Sequence, residues 1–371
     1  MQEDKAIKPE LELLNQSLCE LMEQARNVPA TSDQIFEEWE TACRKISVQL
    51  ADDWIRVAVV GAIKSGKSTL INAMLAGDYL KRGAGVVTSM VTRLRRGDKL
   101  SARIYFKSWE EVNADIERAL QLFPSSEWRS RRDAFDIRRE TDRNDLAAAL
   151  ESLSTRELVS NDSRNLNSLY LSAYLQGYER VKDIVGEDNV VKEFSGSEFS
   201  AHQEFSGNDT LAFYLKDICL EVDAPNLEAS LEVADCQGSD SPNPLHLAMI
   251  QDYLLSANLL VYVISSRTGI RQADINFLSM IRRMGFIEHI VFVVNFDFNE
   301  HEAPEDLNAL VERIKEDLRI IRSAPRVYTF SALFSLFQSL AADLPEKDRQ
   351  RLSQWQGDTR LAEFSTSEEK P

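Results

Sequence analysis

The chain has 371 residues, 43% apolar and 28% charged, with 43 basic against 60 acidic side chains and a net charge of −17. That balance is ordinary for a folded protein and excludes a nucleic-acid binder built on a global basic field. At ~100–200 residues per domain, the length predicts one large, elaborated domain or one plus a helical attachment. No apolar run reaches the ~18–20 residues of a membrane span, and the opening MQEDKAIKPE lacks the cationic and apolar regions of a signal peptide, so the expected location is the cytoplasm. Cys19, Cys43, Cys219 and Cys236 show no paired spacing, and His202, His246, His289 and His301 are dispersed. Neither a disulfide framework nor a metal site made of protein side chains alone is expected.

The first fifty residues read as a helical hairpin, residues 1–52. Leu11, Leu14, Leu18, Leu21 and Ala25 recur at three and four, with Pro9 at a first helical turn; after Asn27-Val28-Pro29 a second stripe runs Phe36, Trp39, Cys43, Ile46, Leu50. Such a hairpin either packs its apolar face on the next domain or serves as a lever or assembly element. At Trp54 the period changes. Ile55, Val57, Val59 and Val60 form the β-branched run of a buried parallel strand, and further strands are predicted over 102–106, 217–222, 231–234, 259–265, 289–295 and 326–330. Helical patterns over 245–255, 272–284 and 304–321 separate the later ones, which predicts an α/β fold: a three-layer domain with a mainly parallel sheet. Residues 108–210 break the alternation. They read as a helical insertion with helices over 109–122, 145–154 and 166–185, and their arginines sit among acids as a solvated face. The domain is expected to span 53–343, followed by a polar, fraying tail over 344–371.

The sharpest signal is Gly61-Ala62-Ile63-Lys64-Ser65-Gly66-Lys67-Ser68, a G-x-x-x-x-G-K-[ST] phosphate loop between a predicted strand and a helix that begins near Thr69. The glycines let successive N–H groups face phosphate oxygens, and the helix N-terminus adds partial positive charge. Lys67 can reach the β- and γ-phosphates, and the Ser68 hydroxyl can ligate Mg²⁺. A nucleoside triphosphate is the expected ligand. Asp235-Cys236-Gln237-Gly238 closes an apolar strand as D-x-x-G, where Asp235 can hold Mg²⁺ through water and the Gly238 N–H can meet the γ-phosphate.

With these motifs, residues 61–94 (GAIKSGKSTLINAMLAGDYLKRGAGVVTSMVTRL) resemble the start of the dynamin-like large GTPases, and the resemblance extends over roughly 54–335. It implies a P-loop GTPase domain, GTP as substrate and Mg²⁺ as cofactor. It matches Thr88 to the switch threonine that closes over metal and attacking water, so the implied metal set is Ser68, Thr88 and Asp235. It matches Asn295 and Asp297 to the guanine-reading motif, and Ser331 and Ala332 to the backbone segment that contacts the base. Two departures stand out. The base motif N/T-K-x-D here reads Asn295-Phe296-Asp297-Phe298, without the lysine and with the acid one residue early, and fewer than fifty residues follow Ser331 where membrane-deforming members carry a stalk.

Guanylate-binding relatives place an arginine at the position of Lys64, which makes Lys64 either an internal cationic finger or a solvated lysine that strengthens phosphate binding. Together with Lys67 and Thr88 it completes the expected catalytic set. Ser239 stands where small GTPases carry a water-orienting glutamine. The leading expectation is a Mg²⁺-dependent GTPase that self-associates across its nucleotide face, forming a nucleotide-dependent homodimer and offering its helices to a helical partner protein. A nucleotide-gated interaction module with little turnover and an ATPase are the alternatives. No nucleic-acid partner is expected, and membrane contact is encoded by no anchor here.

Overall fold

A computed structural model describes residues 4–25, 43, 46–47, 54–82, 91–121, 134–156, 162–206, 208–239, 250–251, 253–301 and 303–357. It divides into a short N-terminal unit, residues 1–55, and a large unit, residues 56–371. In the N-terminal unit one helix, α1 (Asp4–Ala25), starts five residues ahead of Pro9 instead of at it. Asn15 is buried and donates to the Cys43 carbonyl (3.0 Å) and the Ser47 hydroxyl (2.7 Å). Leu11, Leu14, Leu18 and Leu21 are exposed. Of the second predicted helix only residues 43, 46 and 47 lie among those described.

The large unit is built on a nine-stranded sheet. Its strands are β1 (Ile55–Gly61), β2 (Thr92–Arg96), β3 (Ser101–Phe106), β4 (Val191–Ser195), β5 (Leu215–Val222), β6 (Leu231–Gly238), β7 (Leu259–Ser265), β8 (Ile290–Asn295) and β9 (Val327–Phe330). Their order is β4-β3-β5-β2-β6-β1-β7-β8-β9. β1, β7, β8 and β9 are parallel neighbours, with Val57 opposite Leu259, Leu260 opposite Ile290 and Phe292 opposite Val327. Helices α6 (Gln272–Arg283) and α7 (Pro304–Leu318) supply the crossovers β7-α6-β8-α7-β9, as parallel pairing of consecutive strands demands.

β1 shows why there are three layers. Ala58 and Val60 pack into one core with Phe277 and Leu278 of α6 and Leu307 and Ile314 of α7. Val59, between them, packs into a second core on the opposite face with Leu70 and Ile71 of α2 (Lys67–Met74), Trp109 and Ile116 of α3 (Trp109–Gln121) and Tyr174 of α5 (Asp162–Val181). Alternate residues of one strand therefore face two helical layers, both dry. The insertion supplies α3, α4 (Glu140–Arg156) and α5 to the second layer. No helix of the described residues is long and apolar enough to cross a membrane.

Two strands were not foreseen. β4 lies inside the stretch read as a mostly helical insertion, past its last predicted helix: it pairs antiparallel with β3 at the sheet edge and buries only Phe194, so its sequence VKEFS carries almost no apolar period. β2 reads TRLRR, and its charges conceal it. Arg93 and Arg95 bond to Glu232 of the antiparallel neighbour β6, a side chain with no exposure, and Arg93 also pairs with Asp217. Burial and Glu232 push the Tyr253 phenol up, consistent with its donation to Glu232 Oε1 at 2.9 Å.

The chain past Pro345, read as a fraying tail, instead forms a helix over Glu346–Gly357. With α8 (Ala332–Ser339) as its neighbour, it is α9. Leu352 and Trp355 are buried against Phe337 and Leu344, forming a small third core with Phe298 and Phe334. An apolar pair three residues apart sufficed to dock a helix whose other positions are polar.

Candidate functional site

The phosphate loop leaves the carboxyl end of β1, at the centre of the sheet. Gly61 has φ +147 and a Cβ there would run into the Val263 carbonyl of the neighbouring strand; Gly66 has φ +95 and a Cβ there would run into the side-chain amide of Asn295. Both glycines are thus required by conformation and by space. Lys64 also lies in the left-handed region (φ 64), at a cost of roughly 1 kcal/mol for a residue with a Cβ. Ala62 and Ser65 are buried, whereas Ile63 and Lys64 are exposed at the crest of the loop. α2 begins at Lys67, Leu70 N–H donates to the Gly66 carbonyl, and Ser68 and Thr69 follow in the first turn.

Lys67 is buried and its Nζ donates to the carbonyls of Gly61 (3.0 Å) and Ala62 (2.9 Å), so the cation lies across the loop it serves. Ser68 Oγ donates to Asp235 Oδ2 at 2.6 Å. Asp235 Oδ1 is buried with no hydrogen-bond partner among the described residues, as is Ser65 Oγ. Burial pushes the Asp235 carboxyl above the usual aspartate range, against the opposing pull of Lys67 and the Ser68 hydroxyl. A buried, partnerless carboxylate oxygen beside a serine hydroxyl is an all-oxygen donor set suited to a small hard cation. The residues present therefore fit Mg²⁺.

β6 runs three residues beyond Asp235, through Gly238, and Ser239 N–H donates to the Gly61 carbonyl at 2.9 Å. The Ser239 side chain turns into the protein. Its hydroxyl bonds to Tyr262 (3.0 Å) and Asp274 (3.2 Å), and Tyr262 donates to Asp274 at 2.6 Å. All three are buried, and the Tyr262 phenol is held neutral by burial, reinforced by Asp274. The Ser239 hydroxyl is thereby engaged by two buried partners.

Asn295, the last residue of β8, ties the site together. Its Nδ2 donates to the Ser65 carbonyl (2.9 Å) and its Oδ1 accepts from Ala332 N–H (3.0 Å), linking the phosphate loop to the β9–α8 turn where Ser331 precedes the helix. Asp297 is placed differently from the pattern of a free base-reading acid. Its Oδ1 accepts from Asn299 N–H (3.0 Å), and its Oδ2 accepts from Arg351 of α9 at 2.6 Å. Phe296 N–H donates to the Phe330 carbonyl, and the ring of Phe296 is buried in the core at the position of the expected lysine. Thr88 lies outside the described residues.

The structure thus gathers the phosphate loop, Asp235, Asn295 and Ala332 at one end of the sheet; the Ser65–Asn295 bond alone joins residues 230 positions apart. Sequence reasoning missed Tyr262, Asp274, Arg351 and Trp355. The first two read as ordinary strand and helix residues. For the last two, the Leu352–Trp355 spacing within a polar run was the available signal.

A model of the dynamin family matches residues 57–297. Dynamin-like protein A of Bacillus subtilis (strain 168) is 20% identical over 302 residues, covering 77% of this chain and 23% of its own length. Among solved structures, an oligomerised bacterial dynamin pair, presented as a mechanism for the long range sensing and tethering of membranes, superposes with a TM-score of 0.51. It is 15% identical, over 96% of this chain and 53% of that one, a likeness of fold. The chain therefore spans about a quarter of the curated relative's length and about half of the bacterial dynamin's.

Proposed function

This chain belongs to the dynamin family, and on that footing we propose that it is a Mg²⁺-dependent GTPase whose nucleotide state controls self-association through the nucleotide face. The observation that carries the reading is the Ser68–Asp235 pair beside the glycine-framed loop, with Asp235 Oδ1 buried and without a hydrogen-bond partner among the described residues. Residues 61–69 hold the phosphates through backbone N–H groups and Lys67. Ser68 and Asp235, joined by Thr88, hold the metal, whose chemistry when bound is to neutralise charge on the phosphate oxygens. Phosphoryl transfer to water needs little covalent help, so these residues act by positioning and electrostatics. Because Ser239 is occupied by Tyr262 and Asp274, orientation of the attacking water falls to Thr88 and to backbone groups such as the Gly238 N–H.

Base contact is assigned to Asn295, Asp297, Ser331 and Ala332. Lys64, exposed at the loop crest, is assigned as the cationic finger for the charge that builds up in the transition state. Self-association is the property for which the bacterial dynamin pair provides a model; membrane tethering is said of that pair, and any membrane contact by this chain is carried over from it as a proposal.

The test is competitive binding of fluorescent GTP against GDP, ATP and xanthosine nucleotides, followed by turnover as a function of protein concentration. A GTP preference with specific activity rising with concentration supports the reading. Equal affinity for GTP and ATP removes the guanine assignment, and strong binding with no turnover at any concentration leaves a nucleotide-gated interaction module.

A further inference from the structure

We propose that α9 is a latch on the base-reading loop: Arg351 holds Asp297, and a guanine base binds by taking that carboxylate from the arginine, so that Arg351 sets both base selectivity and the coupling of nucleotide to the C-terminal helix. The proposal rests on the assignment of Asp297 to the base.

Three observations carry it. First, the carboxylate is engaged on both oxygens. Oδ1 caps the turn through Asn299 N–H, and Oδ2 takes the Arg351 guanidinium at 2.6 Å. The Asp297 side chain is only 14% exposed against 36% for Arg351, so the pair is partly desolvated and faces solvent from the arginine side. Guanine offers N1–H and N2–H₂ donors to a carboxylate, whereas adenine presents an acceptor at N1. Only a guanine or a close analogue can replace what the guanidinium supplies.

Second, α9 is fastened by other residues. Trp355 is buried, its Nε1–H donates to Asn299 Oδ1 (3.3 Å), and its ring packs with Phe298, Phe334 and Phe337 at centroid distances of 5.9–6.2 Å. Leu352 is buried in the same cluster. Releasing Asp297 therefore does not require the helix to unfold. Third, the guanidinium lies 4.5 Å from the centroid of the Trp355 ring. That face is a second resting place for the cation once the carboxylate is taken. Trp355 touches Asn299, whose backbone N–H donates to the Asp297 carboxylate, so a change at the carboxylate is transmitted into α9 by direct contact.

The experiment measures affinities of the full chain for fluorescent GDP, GTP and ATP in the wild type, Arg351→Gln, Arg351→Lys, Asp297→Asn and the Arg351→Gln/Asp297→Asn double variant, with hydrogen exchange of residues 346–357 followed in parallel. Loss of the competitor should tighten guanine nucleotides about three- to fivefold in Arg351→Gln, the size of one partly exposed ion pair. ATP should be unaffected. Arg351→Lys should fall near the wild type, and it keeps the test open should the glutamine variant fold poorly. In the Asp297→Asn background the arginine substitution should change nothing. GDP, but not ATP, should speed exchange in 346–357 of the wild type, and Arg351→Gln should erase that difference.

Unchanged guanine affinity and exchange in Arg351→Gln, with GTP still preferred over ATP, overturns the latch and leaves the base assignment standing. Weaker guanine binding in Arg351→Gln overturns it too, because the arginine would then support the base. Equal GTP and ATP affinity in every variant overturns the base assignment and the latch together.

Discussion

Gly66 and Asn295 occupy one space, and this makes their energies non-additive. In Gly66→Ala the new Cβ meets the Asn295 amide, so that amide must leave the Ser65 carbonyl and Ala332 N–H. The positive φ adds roughly 1–2 kcal/mol, and two lost hydrogen bonds add about 1 kcal/mol each, for a total near 3–4 kcal/mol. Asn295→Ala loses the same two bonds, about 2 kcal/mol. In the double variant the bonds are lost once and the clash is gone, so the total stays near 3–4 kcal/mol where additivity demands about 5–6. The coupling of about 2 kcal/mol exceeds the scatter of ~0.3–0.5 kcal/mol expected for independent sites. Urea unfolding of the four proteins, with equal slopes, measures it. Because the bridge organises the phosphate loop, GDP affinity should fall in each single variant and fall no further in the double. Additive free energies would refute the claim that Asn295 braces the loop through the space above Gly66.

Other perturbations separate the remaining groups. Lys67→Ala, or Ser68→Asn, should abolish triphosphate binding or turnover with the fold retained, checked by circular dichroism and nucleotide titration; normal hydrolysis by folded Lys67→Ala protein sinks the phosphate-loop assignment. Lys64→Ala should lower kcat at least about tenfold, toward the ~10³-fold supplied by arginine fingers, with little change in Kd and no remaining rise of activity with concentration. If only affinity falls, Lys64 is a ground-state phosphate ligand. Asp235 has a carboxyl held above the ordinary ~3.9, mainly by burial. Since its native pKa is raised, it favours the folded apo protein at low pH, a contribution lost as pH rises through the native value. Mg²⁺ needs the carboxylate, so its affinity should weaken as pH falls toward that value, and in that pH range metal binding should release protons. Calorimetry in buffers of different ionisation heat detects the proton, and none should appear in Asp235→Asn.

What the sequence determined by itself were the features set by short-range physics. Residues 55–68 state a strand, a glycine-framed loop and a helix start in fourteen consecutive positions, because the phosphate cradle is made of adjacent backbone groups. The β7-α6-β8-α7-β9 run was equally legible, since strands buried on both faces need continuous apolar segments and parallel neighbours need helices between them. The tertiary structure decided what depends on partners distant in the chain. β2 is a strand because Glu232 lies opposite its arginines, and β4 because an open sheet edge accepts VKEFS. Asn295 is a brace only once β8 ends beside Ser65, and Ser239 became structural only when Tyr262 and Asp274 closed around it. The base motif shows the limit most plainly. Reading Asn295-Phe296-Asp297-Phe298 locates the departure from the family pattern, but the state of the Asp297 carboxylate is set by Arg351, fifty-four residues later. Local sequence carries the charge of a side chain, and only the fold supplies the counter-charge that decides whether it is available to a ligand.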